Sequence, residues 1–322
     1  MTMGTDQSIL LRSVFFKLML MLLFFNGCKI QAQTPKVVCG TLHRLSDFSS
    51  KYVMARNVDV WLPEGYQADK QYNVLYMHDG QALFDSTTTW NHQEWGVDDM
   101  LCKLKAENKI SDCIVVAIWN TAKRHPEYFP QKPFYSMSIA DQQKILAVGK
   151  DKGAPLLGEG PLSDNYLKFL VEELKPYIDE HFSTLRGREH TFIAGSSMGG
   201  LISMYAICEY PQVFGGAACL STHWPGIFTT NNNPVPAAFL NYLSAHLPSY
   251  RTHKIYFDYG SETLDAMYKP YQLQADSIIK AHGYSSANWL TMSFPGANHS
   301  EKAWSKRLDI PLLFLLGKPL NN

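Results

Sequence analysis

The chain has 322 residues, with 29 basic and 29 acidic side chains and a formal net charge of zero. Hydrophobic residues make up 46% and charged residues 18%, which is ample for a core and argues against disorder. No basic stripe marks a nucleic-acid surface, and the length suits one large α/β domain or two small ones.

The N-terminus differs in kind from the rest. Arg12 and Lys17 precede or interrupt "VFFKLMLMLLFF", a short apolar run that ends near Phe25 and is followed by "NGCKIQAQ". A positive flank, an apolar centre and small residues near a cut site describe a secretory signal peptide over 1–32, cleaved near Ala32. The run is too short for a comfortable membrane span. Lipid attachment at Cys28 is the rival reading, although Phe25, Asn26 and Gly27 make a poor lipoprotein box. The expected mature protein is exported, periplasmic or extracellular, with no stable membrane span. An oxidising compartment permits disulfides, and local spacing favours Cys102–Cys113. Cys208 in "SMYAICEY" and Cys219 in "GGAACLS" sit in apolar settings that suit buried free thiols. No Cys/His spacing suggests a metal site.

Beyond the signal there is no repeat, low-complexity tract or charged linker, so 36–316 reads as one domain. "VVCGTLHRL" and "KYVMARNVDVWLP" suggest an opening antiparallel pair. Strand and helix signals then alternate. The expected strands are "YNVLYMHDG", "DCIVVAIWN", "HTFIAGS", "GGAACLST", "KIYFDYG" and "NWLTMSFPG". Between them lie helices, of which "DNYLKFLVEELKPYIDEHF" has Tyr166, Phe169, Leu170, Leu174, Tyr177 and Ile178 on one apolar face. A closing helix is expected over 301–316. The stretch from Asn120 to Leu162 shows no clear pattern and reads as an irregular insertion. Short apolar strands alternating with helices predict an α/β fold, a mostly parallel central sheet with helices on both faces.

Chemistry concentrates at "GSSMG" (195–199), a G-x-S-x-G match set between a buried strand and an apolar helix. That strand–turn–helix context is what a nucleophile elbow requires, and it lifts Ser197 to the carboxyl edge of the sheet. The N–H of Met198, at the helix start, points where an oxyanion would form. A serine hydroxyl needs a base, and in this arrangement an acid and a histidine follow on loops after late strands. His299 in "SFPGANHSEKAW" directly follows the last strand. For the acid, "FDYGSETLDAMY" offers Asp258, Glu262 and Asp265. Asp258 lies inside the strand and reads as structural. Asp265 is preferred because its short side chain follows a loop long enough to turn back, and Glu262 is the alternative. In "LYMHDGQALFD" the N–H of Gln81 is the candidate second oxyanion donor, with Gly80 allowing the turn and His78 reading as buried and hydrogen-bonded.

These residues resemble the esterase family that includes enterochelin esterases, esterase D-type enzymes, feruloyl esterase domains and mycolyltransferases. The resemblance spans roughly 36–316 and rests on "VLYMHDGQALFD", "RHPEYFP", "YLKFLVEELKPYID", "FIAGSSMGGLISMYA" and "GANHSEKAW". It implies an α/β-hydrolase fold, Ser197 as nucleophile, His299 as base, and Met198 and Gln81 as oxyanion donors. Many members carry the acid three residues after the glycine of the strand-7 turn, where this chain has Thr263.

The resulting expectation is a secreted serine esterase without metal or organic cofactor, acting on a small-molecule or glycan ester. Trp224, Trp119 and Tyr128 are the expected substrate-binding aromatics, with Trp90, Trp95, His125, Phe129 and Tyr135 as further candidates. Such a set suits a sugar, a phenolic acyl group or a catecholate. Carbohydrate-linked esters are favoured, because only Lys123 and Arg124 offer a local positive pair for an anionic siderophore. Acyl transfer to a sugar would use the same residues. A non-catalytic glycan-binding protein is the alternative from another class, and the intact Ser/His pair speaks against it.

Overall fold

In the computed structural model, which describes residues 33–150 and 153–318, the central strands feed two separate apolar clusters. Val74 and Tyr76 of β3 (Asn73–His78), with Ile114 and Val116 of β4 (Cys113–Ile118), join one cluster. Leu75, Met77, Val115 and Ala117, the alternate residues, join the other. A strand points successive side chains to opposite faces, so a sheet buried on both faces must be apolar at nearly every position. The expected signal over 1–32 and Cys28 lie outside the described residues.

The sheet has eight strands in the order β1-β2-β4-β3-β5-β6-β7-β8. β1 (Thr41–Phe48) and β2 (Arg56–Leu62) pair antiparallel, as the sequence predicts, and β2 pairs antiparallel with β4. From β4 onward every pairing is parallel, through β5 (Thr191–Ser196), β6 (Gly216–Leu220), β7 (Lys254–Gly260) and β8 (Trp289–Phe294). Helix Met198–Glu209 packs into the first cluster, and helices Val97–Ala106 and Asp309–Leu316 pack into the second. The parallel strands bring their carboxyl ends, and the loops that follow them, to one edge. Among the described residues, no helix is long and apolar enough to cross a membrane.

Three expectations need correction. The stretch expected to be irregular is helical over 124–146, where it forms helices Arg124–Tyr128, Gln131–Ser136 and Ile139–Leu146, with Tyr128, Phe129, Phe134 and Ile145 in the core. Pro126 and Pro133 sit in the first turns of the first two, where a missing N–H is harmless, and such short prolyl helices carry no readable period. The closing helix is two pieces, Glu301–Ser305 and Asp309–Leu316, with Pro311 in the first turn of the second. The disulfide joins Cys39 to Cys102, with Cα atoms 6.5 Å apart, and Cys113 is free and buried. Cys113 belongs to a core strand. Cys39 is held beside the helix that carries Cys102, because Val38 N donates to Asp98 Oδ2 at 2.7 Å and Cys39 O accepts from Trp61 Nε1 at 2.8 Å. Cys208 and Cys219 are buried free thiols, as expected. The helix expected over 164–182 forms from Ser163 to His181 with a wide turn at Phe169–Leu174, just before Pro176 removes a backbone donor.

Candidate active site

Ser197 sits between β5 and helix Met198–Glu209 with φ 58° and ψ −122°, a conformation that costs about 1–3 kcal/mol in a non-glycine residue. The turn is held from both sides. Ser197 N donates to Leu220 O at 2.9 Å, and Ser197 O accepts from Leu201 N and His223 N, each at 3.1 Å. Gly195 makes the sharpness possible: a Cβ there would lie 2.8 Å from the Gly199 carbonyl carbon. Ser197 is thereby presented half-buried at the carboxyl edge of the sheet, the edge the elbow motif predicts.

His299 and Asp265 meet beside it. His299 Nδ1 lies 2.5 Å from Asp265 Oδ1, at the wall of the cleft that Ser197 also lines. The other carboxylate oxygen of Asp265 accepts from Ser221 Oγ and from Gly260 N, both at 2.6 Å. Burial alone pushes the Asp265 carboxyl up, but the bonds from His299, Ser221 and Gly260 outweigh it and hold it below the usual carboxylate range. Glu262 is exposed and turns to Ser261 Oγ instead of the imidazole. Thr263, three residues after Gly260, accepts from His299 N at 2.9 Å and so braces the histidine through its backbone.

The turn after β3 approaches the elbow from the opposite side. Gly80 rests on β4, and a Cβ there would sit 2.6 Å from the Ala117 carbonyl carbon. Gly199 lies against the same turn, where a Cβ would come within 3.4 Å of both His78 Cβ and Asp79 Oδ2. Gln81 lies in the turn Gly80–Ala82 and Met198 opens the helix Met198–Glu209, and the first N–H groups of a helix have no partner within it. His78 is buried, with Nδ1 2.8 Å from the Tyr166 hydroxyl, as the sequence suggests. Asp79 takes the charge of Arg124 in a bidentate pair at 2.7 and 2.8 Å, and Asn120 Nδ2 adds a third bond at 2.6 Å. The Arg124 charge is thereby matched at the cleft wall.

The cleft above Ser197 and His299 holds about 720 Å³ and is walled by Trp90, Trp119, Asn91 and Gln93 among others, with Asp79, Arg124 and Glu301 as its charged side chains. Trp119 lines it as expected, its indole N–H donating to Asp59 Oδ2 at 2.7 Å. Trp224 and Tyr128, the other two expected substrate contacts, do not: both are wholly buried. Trp224 donates to Gln272 Oε1 at 2.9 Å, and Tyr128 packs between His78 and Tyr166. Each follows a site loop in sequence but is turned inward to fill the core cluster.

Sequence reasoning missed the network behind Asp265. The Ser221 hydroxyl that donates to Asp265 also accepts from Trp304 Nε1 and Arg307 Nη2, each at 2.9 Å. Arg307 pairs in turn with Asp258, which is fully buried and structural as predicted. Tyr268 was missed as well. Its hydroxyl lies 2.7 Å from His223 Nδ1, and its ring packs edge-on against the His299 imidazole, with centroids 5.8 Å apart. No local motif announces these residues, because they come from segments far apart in the chain.

The family description "Putative esterase" matches residues 49–315. The chain belongs to that family. It is 23% identical over 270 residues to the uncharacterized protein YbbA of Bacillus subtilis (strain 168), covering 82% of this chain and 93% of that one. It is 24% identical over 188 residues to an endo-1,4-beta-xylanase/feruloyl esterase of Xylanibacter ruminicola, spanning 56% of this chain and 22% of that much longer protein. Among solved structures, a ferulic acid esterase from Anaeromyces mucronatus in complex with ferulic acid superposes with a TM-score of 0.55 at 18% identity, covering 89% of this chain and 94% of that one. The enterobactin esterase FES of Shigella flexneri does so with a TM-score of 0.58 at 16% identity, covering 89% and 62%. The family member described here is a carboxylic ester hydrolase with an α/β-hydrolase fold.

Proposed function

We propose that the protein is an exported serine esterase that removes acyl groups from carbohydrate through a Ser197–His299–Asp265 triad. The observation that carries the triad is the 2.5 Å contact between His299 Nδ1 and Asp265 Oδ1 at the wall of the cleft that holds the Ser197 elbow. Ser197 attacks the ester carbonyl while His299 Nε2 takes its proton. Asp265 fixes the tautomer with the proton on Nδ1 and stabilises the imidazolium that forms. The N–H groups of Met198 and Gln81 receive the oxyanion. His299 then protonates the leaving alcohol, and water, activated by the same imidazole, hydrolyses the acyl-enzyme.

A carbohydrate ester is favoured by the aromatic and amide side chains that line the cleft and by the pairing of Arg124, the arginine of that lining, with Asp79. Likeness to a feruloyl esterase sequence and to a structure holding ferulic acid supports the same reading. The similarity to enterobactin esterase supports siderophore-ester hydrolysis as the second reading. Export rests on the segment 1–32, and the Cys39–Cys102 disulfide suits an oxidising compartment.

The test is turnover of an aryl acetate and of feruloylated and acetylated oligosaccharides by the mature protein and its variants. Ser197→Ala and His299→Ala should each lower turnover by roughly a thousandfold or more, and the double variant should be little worse than either. Near-normal turnover in Ser197→Ala sinks the nucleophile assignment. Faster turnover of a catecholate trilactone than of any acylated sugar makes the second reading the right one.

A further inference from the structure

Trp90 is 92% exposed, the largest apolar surface that folding leaves in water on this cleft. Its loop is nevertheless tightly built. Asp85 caps the turn Ser86–Thr88, accepting from Thr87 N at 2.9 Å, and its other oxygen accepts from Lys36 N at 2.8 Å. Thr89 Oγ1 lies 3.0 Å from the carbonyls of both Ser86 and Gln93 and accepts from Gln93 N at 3.1 Å. Ser86 N also donates to the Glu94 carboxylate. Asn91 Nδ2 then ties the loop to Glu301 Oε2 at 3.0 Å, two residues beyond His299. A rigid, exposed indole loses little entropy when a ligand covers it.

The chemistry next to the ring is that of hydroxyl recognition. Glu301 lines the cleft, and the side-chain bond it makes is to the Asn91 amide, so its carboxylate keeps acceptor capacity towards the cleft. Arg124, the cation of the same cleft, is matched by Asp79. An acceptor carboxylate, an amide and an exposed indole fit an uncharged polyhydroxylated ring, and with Asp79 and Glu301 both facing Arg124 the lining has a negative balance that repels an anion.

We propose that Trp90, Asn91 and Glu301 form a subsite for the alcohol side of the substrate, with a neutral sugar ring stacked on Trp90 and its hydroxyls donating to Glu301. This rests on the proposed ester hydrolysis, so the test reads binding and not turnover. The Ser197→Ala protein is titrated with a feruloylated xylo-oligosaccharide and with methyl ferulate, which share an acyl group and differ in the sugar. The sugar ester should bind more tightly. Adding Trp90→Ala should weaken the sugar ester by roughly tenfold or more while moving methyl ferulate less than about threefold, and Trp90→Phe should retain most of the affinity. Equal losses for both esters, or none for either, overturn the subsite. So does tighter binding of an anionic catecholate trilactone than of the sugar ester. Consumption of ligand during the titration would instead expose a wrong nucleophile assignment, and is read separately by product analysis.

Discussion

The Ser221 hydroxyl stands 2.6 Å from Asp265 Oδ2 and joins that carboxylate to Arg307 and Trp304, which both donate to the Ser221 oxygen at 2.9 Å. The acid is thereby fixed on both oxygens, one by His299 and one by a serine that is itself fixed. Ser221 adopts φ 41°, a left-handed conformation that places its side chain under Asp265. Replacing it with alanine removes one bond from Asp265 and leaves the Trp304 N–H without its acceptor, at a cost of about 1–3 kcal/mol in stability. A loosened Asp265 lets the imidazole drift, so kcat should fall by roughly 10- to 100-fold with KM changed by less than about threefold. A stability loss with kcat untouched would show that Ser221 serves packing alone.

The two candidate acids separate cleanly by substitution. Asp265→Asn should lower turnover by up to about 10⁴-fold, because an amide on His299 Nδ1 favours the wrong tautomer. Glu262→Gln, at an exposed side chain turned towards Ser261, should leave turnover within about twofold. Steady-state kinetics on an aryl acetate decide it, and a crippled Glu262→Gln would reverse the assignment.

Three histidines near the site stay neutral when folded. Burial pushes His78 and His223 down to about 3, and burial followed by the nearby Arg124 charge pushes His125 down to about 4. In an unfolded chain each titrates near its ordinary 6.5. Between those limits the unfolded state binds more protons, so stability rises with pH across the window and is lost as pH falls below 6.5. The urea midpoint should drop steadily between pH 7 and 4.5. A flat midpoint across that range would show that these imidazoles are not held neutral.

The disulfide closes a loop with a sequence separation of 63, and a crosslink of that span stabilises a fold by about 2–4 kcal/mol. Cys102→Ser or thiol reductant should lower the melting temperature, whereas Cys113→Ser should respond only through core packing. Peptide mapping of unreduced protein should recover the Cys39–Cys102 link. Recovery of Cys102–Cys113 would contradict the observed pairing.

The sequence by itself determined the strands and the elbow, because both are local. β5 and helix Met198–Glu209 announce themselves by unbroken apolar runs, and G-x-S-x-G marks the turn between them through glycines that permit Gly195 and Gly199 to touch. His299 and the turn carrying Gln81 were legible for the same reason: each directly follows a readable strand. Only the tertiary structure decided which carboxylate reaches His299, since Asp265 and Glu262 share one loop and differ in how the chain folds back over it. It also decided which aromatics meet solvent. Trp224, Tyr128 and Trp90 look alike in sequence, yet the first two fill the core and the third stands on the cleft rim, because burial depends on what other segments pack against each ring. The Cys39–Cys102 link and the Ser221–Arg307–Trp304 support are likewise contacts between distant segments, where side-chain chemistry is written in the chain but its partner is chosen by packing.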